Sequence, residues 1–228
     1  MKPIKTSWKD ISVGDFQRIY DLEKKGDEEK LLELIALVNG VDMDEVLNMP
    51  ISKLEAHYDD IDFLGKEPKS VLIKPFYTIN DTRYNVHGAD MTTAQYIDFK
   101  QMVPTYSENL AQFLTVFLIP AGHKYNDGYD LEKARQDISS MSIVDARAVA
   151  AFFLTRFVLL MKLFLRSSER RARRMERKAK TEEEKEILRK LREEMERTRR
   201  LLPLIGSTSL ATYTPKQDTT SQKYSNSL

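Results

Sequence analysis

The chain of 228 residues contains no cysteine, so it has neither a disulfide framework nor a thiolate zinc site, and its fold must hold by packing. Glycine is scarce, eight in all, and no Gly-rich phosphate loop occurs, which disfavours nucleotide binding. The three histidines, His57, His87 and His123, stand in different sections with no carboxylate at the spacing of a zinc motif. They read as surface or capping residues, and no metal or other cofactor is expected. Serine and aspartate are plentiful, but no nucleophile elbow appears. Asp59, Asp60 and Asp62 read as acids solvating a helix end, not as cation ligands. No catalytic residue is assigned, and an enzyme is the least favoured class. No apolar stretch follows the charged start Met1-Lys2-Pro3-Ile4-Lys5, so no secretory signal is expected and a cytosolic origin is the default.

What the chain does contain is enough apolar material, 41%, for a core. Its net charge of +1 conceals a division. Residues 1–165 carry 19 Lys or Arg against 25 Asp or Glu, a balance of 6 negative charges; residues 166–228 carry 17 against 10, a balance of 7 positive. An acidic body with a basic C-terminal part fits either a polyanion partner or self-association, the basic region of one subunit against the acidic body of the next.

Two capping signals organise the body. Ser12 stands three residues before Asp15, and Thr92 three before Gln95, each arranged to exchange hydrogen bonds at a helix start. Each is followed by an aromatic and then by a second signal, Asp27-Glu28 and Ser107-Glu108, opening the apolar stretches Leu31 to Val38 and Leu110 to Ile119. Met49-Pro50-Ile51 and Met141-Ser142-Ile143 extend the echo. A duplicated helix-pair module would produce this order, and two amphipathic hairpins can converge on it.

The expected fold is mainly α: a helical bundle with one β-hairpin, followed by a long charged helix and an extended tail. Residues 1–66 read as an N-terminal helical module, with helices near Val13 to Glu23, Glu28 to Asn39 stopped by Gly40, a short one after Asp42, and Ser52 to Phe63. Residues 67–89 read as a hairpin, β-branched and aromatic residues flanking Asn80 to Arg83 with Pro75 at an edge or bulge. Residues 90–165 form a second helical module. It ends in the most apolar stretch, 142–165, which has the length of a membrane span but is divided by Arg147, Arg156 and Lys162. It reads as a buried helix, not a membrane span.

Residues 166–203 read as one long charged helix, stopped by Pro203 and Gly206, and residues 204–228 as a polar extended tail. The basic cluster Arg166, Arg170, Arg171, Arg173, Arg174, Arg177, Lys178 and Lys180 is the candidate contact for a partner or for nucleic acid. Against nucleic acid stand the lack of interleaved aromatics and the acids that follow Thr181. Ile187, Leu188, Leu191 and Met195, a short apolar stripe, and the tail tyrosines Tyr213 and Tyr224 are candidate subunit contacts.

Four segments carry a resemblance: Trp8 to Phe16, Leu34 to Asp42 with Leu54, the hairpin ending Tyr84-Asn85-Val86, and Met91 to Asp98. Together they resemble small morphogenesis and structural proteins of tailed bacteriophages, the tail-assembly-chaperone-like proteins of phages of Bacteroidetes. The resemblance spans about residues 8–165. It implies a non-enzymatic virion or assembly protein acting by protein-protein contact, with other phage structural proteins and its own copies as partners. It implies a place in the virion, and in the host cytoplasm during assembly. The charged helix and tail after Arg166 depart from a compact chaperone and favour a part retained in the particle. A soluble tail-assembly chaperone and a packaged nucleic-acid-binding protein are the alternatives.

Overall fold

A computed structural model describes residues 4–22, 26–69, 71–87, 91–177 and 181–207. Four helices lead: α1 (Val13–Leu22), α2 (Asp27–Asn39), α3 (Met43–Leu47) and α4 (Ile51–Ile61), the last running into a 3-10 turn. The Ser12 and Asp15 exchange opens α1: the Asp15 amide donates to Ser12 Oγ at 3.0 Å, and the Ser12 amide donates back to Asp15 Oδ2 at 3.1 Å. Gly40 ends α2 in the left-handed region, φ 65°, its amide returned to the Ala36 carbonyl. The segment before α1 is held from two sides. Trp8 Nε1 donates to the Lys66 carbonyl at 2.6 Å, and Lys5 Nζ reaches both the Leu37 carbonyl and Asp15, each at 3.0 Å.

Strands β1 (Phe76–Ile79) and β2 (Thr82–Val86) form the expected hairpin, and Asn80 and Asp81 at its tip both have positive φ, 46° and 61°. This is the two-residue turn whose twist matches its strands. Asp81→Gly removes the Cβ strain at the second position and is expected to raise stability by about 0.5 kcal/mol, visible as a higher urea midpoint.

The hairpin is not alone. Strand β3 (Leu118–Pro120) pairs antiparallel with β2, Val86 opposite Leu118, giving the order β1-β2-β3. The apolar helix expected from Leu110 to Ile119 therefore stops early, as α6 (Leu110–Thr115) after α5 (Thr93–Met102). Val116 to Ile119 are all fully buried. A continuous apolar run does not distinguish a buried helix from a buried strand, and here the unpaired edge of β2 decides for a strand.

Thr92 and Gln95 make the full capping box of α5. The second signals do not cap: α2 starts from Gly26, and α6 from Asn109 without a side-chain bond. Helices do open at Ile51 and Ile143, but α3 lies between the pair in the first half, and β3 with α7 (Leu131–Ser139) in the second.

The last two helices are α8 (Ile143–Glu176) and α9 (Glu182–Ser207). The chain entering α8 runs antiparallel to the chain entering α1: the Val13 amide donates to Met141 and the Ile143 amide to Ile11, both at 2.8 Å. From this root Val149, Ala150, Phe153 and Leu154 join the core, where Phe153 stacks on Phe117 with ring centroids 3.8 Å apart.

The boundary expected at residue 165 does not exist. One helix of 34 residues, α8, runs through it to Glu176, and the single charged helix expected over 166–203 is divided between α8 and α9. The break follows the charge order. Arg173 and Arg174 lie in the last turn of α8 and Glu182 to Glu184 in the first turn of α9, each sign at the helix end whose dipole it suits. Thr181 and Glu184 exchange backbone bonds to open α9. Pro203, expected to stop the helix, removes one backbone donor without ending it, and α9 runs to Ser207.

Candidate interaction face on the last helices

Helix α9 folds back on α8 as an antiparallel hairpin. Ala172 on α8 and Leu188 on α9 are buried, and Leu165 and Met195 line a groove of about 700 Å³ beside them. Arg192 reaches across to Glu176 at 3.0 Å and Arg199 to Glu169 at 3.9 Å. These exposed pairs contribute little each, in the range of about 0–1 kcal/mol. They set the register of the two helices more than their stability. The candidate stripe on α9 is thus divided: Leu188 and Met195 face α8, whereas Ile187 and Leu191 face outward, 66% and 46% exposed. Tyr213 and Tyr224 lie outside the described residues.

Of the basic cluster, Arg170, Arg171 and Arg174 sit on the side of α8 that α9 leaves open, whereas Arg166, Arg173 and Arg177 edge the grooves between the two helices. Arg173 is tied to Glu169 at 3.0 Å. Arg166, Arg170, Arg171, Arg174 and Arg177 are exposed, and none has a carboxylate partner among the described residues. Lys178 and Lys180 lie outside the described residues. Successive residues turn by about 100°, which places Arg166, Arg170, Arg174 and Arg177 within one sector about 80° wide.

The expected burial of 142–165 fails on this same sector. Only 28% of the most apolar window of α8 is buried. Among the described residues α8 is the one helix long and apolar enough to cross a membrane, by length and composition alone. Phe152, Leu159, Leu160, Leu163 and Phe164 are between 40% and 62% exposed. Phe152, Leu159 and Leu163 fall in the arginines' sector, with Leu160 and Phe164 beside it. Arg147 is half-buried, and burial lowers its pKa from the ordinary value; Arg156 is exposed and has no partner among the described residues.

One open face of one helix therefore carries a mainly apolar half of about 18 Å, interrupted by Arg156, followed by a basic half of about 17 Å. Sequence reasoning missed the apolar half because it treated apolar as buried. A signal was present: Arg156 lies four residues from Phe152 and Leu160, on the side that a core would have to cover. Next to this face Tyr96 of α5, itself exposed, holds Met161 with its hydroxyl and packs near Phe157.

Apolar side chains gain from being covered, and unpaired guanidiniums favour carboxylates or phosphates. Among the described residues no group of three or more His, Asp or Glu could hold a metal ion. Two buried tyrosines elsewhere are satisfied by acids, whereas Asn39 Oδ1, Tyr129 Oη and Ser142 Oγ are buried without a hydrogen-bond partner among the described residues. Tyr84 and Tyr125 donate to Asp137 and Asp98, and both tyrosines are pushed above their ordinary range, first by burial and then by the acid they face. Comparison of the chain with family models, with curated proteins and with solved structures finds no match.

Proposed function

We propose that the chain is a non-enzymatic structural or assembly protein of a tailed-phage particle, working through protein contacts made by the open face of α8. The observation that carries the role is that face: apolar and then basic, on a rigid helix rooted in the core at one end and braced by α9 at the other. A contiguous exposed apolar patch of this size is unusual on a protein that works alone. The phage setting rests on the resemblance of the segments between Trp8 and Asp98.

A second reading follows from Arg166, Arg170, Arg171, Arg174 and Arg177, which make no ion pair among the described residues and so could take phosphates. The apolar half separates the two. Phosphate binding gains nothing from Leu159, Leu163 and Phe164, all more than half exposed, whereas protein contact does.

Replacing these three with glutamine leaves the core untouched, so far-UV circular dichroism is expected to be unchanged. Light scattering of the full-length chain is expected to show association that the variant has lost. A variant that associates like the wild type, with both forms retained on duplex DNA at moderate salt, would overturn protein contact in favour of nucleic acid.

A further inference from the structure

The charge division along the chain has a structural counterpart. Helix α8 from residue 156 to 177 carries eight Lys or Arg against two Glu, a balance of 6 positive charges; residues 42–62, spanning α3 and α4, carry seven Asp or Glu against one Lys, a balance of 6 negative. The acidic surface is also apolar where it is open: Leu47, Ile51 and Tyr58 are 61%, 75% and 39% exposed. On α4, Ile51, Glu55, Tyr58 and Asp59 share one face, by the three-and-four spacing. Glu55 and Asp59 are exposed and have no basic partner among the described residues. Both surfaces are open, so neither covers the other within one chain.

We propose that the open face of α8 is occupied by the α3–α4 surface of a second copy of the chain. The inference rests on the protein-contact reading above and names the partner. Arginines of the basic half meet Glu55 and Asp59, while Leu159 and Leu163 cover Ile51 and Tyr58. Pairing α8 with α8 about its apolar half would leave both basic halves without counter-charge, and like charges brought together oppose association. The α3–α4 surface satisfies both halves at once. Because the two patches differ, the contact is heterologous: each pair keeps one free donor face and one free acceptor face, and copies add head to tail into a ring or a filament.

Two charge reversals test this on the full-length chain, with mass read by sedimentation over a concentration series. Arg170→Glu/Arg174→Glu reverses the donor face, and Glu55→Lys/Asp59→Lys reverses the acceptor. All four positions are exposed, and circular dichroism checks that each variant is folded. Each variant alone is expected to lose at least roughly tenfold in association and to approach the monomer mass of 26.5 kDa. An equimolar mixture is expected to regain association, because the donor-reversed chain still offers a native acceptor and the acceptor-reversed chain a native donor.

If the donor reversal dissociates the assembly and the acceptor reversal does not, the α3–α4 partner is overturned while protein contact through α8 stands. A wild-type chain that stays monomeric throughout overturns the inference. So does a mixture that stays monomeric, or a wild-type chain that floats with anionic phosphatidylserine vesicles and loses this with the three glutamines on α8.

Discussion

Phe117→Ala is expected to lower stability by about 3–5 kcal/mol, enough to leave a domain of ordinary stability partly unfolded at room temperature. Phe117 sits between α6 and β3, fully buried, and packs at once against α5, α6 and α8. Its ring lies flat against Phe153 of α8, 3.8 Å between centroids and 7° between planes. It meets Phe99 of α5 and Phe113 of α6 edge-on at 5.4 Å each. Its backbone carbonyl accepts from His87 just beyond β2, so the sheet is fastened at the same residue. Truncation removes the ring from all three contacts and leaves a cavity lined by rings that cannot collapse without moving a helix. Urea unfolding followed by circular dichroism, and by fluorescence of the single tryptophan, Trp8, measures the loss. Trp8 packs against Phe63 at the far side of the fold, so coincident transitions by the two probes would show one cooperative unit.

What could be read in the sequence, and what could not, divides along a physical line. Local backbone chemistry was legible in part. The Ser12 and Thr92 caps, the Gly40 stop and a turn within Asn80 to Arg83 each depend on a few neighbouring residues, and each forms, the turn tightening to Asn80-Asp81; the second caps and the Pro203 stop, equally local, do not. Features set by distant partners were not. Val116 to Ile119 are apolar enough for helix or strand, and only the presence of β2 selects the strand. Phe152 to Phe164 are apolar enough for a core, but among the described residues no element covers Phe152, Leu159, Leu160, Leu163 or Phe164 from the open side. The division of the charged region into α8 and α9 lies between these cases. The passage from Arg-rich to Glu-rich at Thr181 marks a helix C-terminus followed by a helix N-terminus, yet strong helix propensity on both sides hides it. Of the candidate site, the arginines were found by composition. Their continuity with an apolar face on the same helix appears only when the helix is seen to run unbroken through residue 165.

Asp137→Ala is expected to cost about 3 kcal/mol, the second large effect, and its pH dependence identifies the cause. Asp137 lies on α7, 5% exposed, and accepts from three side chains. Tyr84 Oη and Lys133 Nζ donate to Oδ2 at 2.7 Å each, and Asn80 Nδ2 donates to Oδ1 at 3.0 Å. Two of these come from the hairpin and one from α7, so the carboxylate ties the sheet to the helix. Alanine leaves the Tyr84 hydroxyl, in a residue 1% exposed, without an acceptor, which alone costs about 1–3 kcal/mol. Lys133 loses less, because its side chain is 57% exposed and water replaces its partner. Burial acts to raise the Asp137 pKa, but bonds from Lys133, Tyr84 and Asn80 outweigh it and hold the carboxyl below its ordinary value. The folded state therefore binds the proton more weakly than the unfolded chain does. The resulting stability is fully present above the unfolded value of about 3.9 and is lost as pH falls through the lower folded value. Asp137→Asn keeps the shape and removes the charge. Its deficit relative to wild type is expected to be largest at neutral pH and to shrink below about pH 4. A deficit that stays constant across that range in urea titrations would assign the role of Asp137 to its shape and not to its ionised form. Asp15 adds acid sensitivity of the same sign: burial again raises its pKa, while its bonds from Ser12 and Lys5 lower it further than burial lifts it.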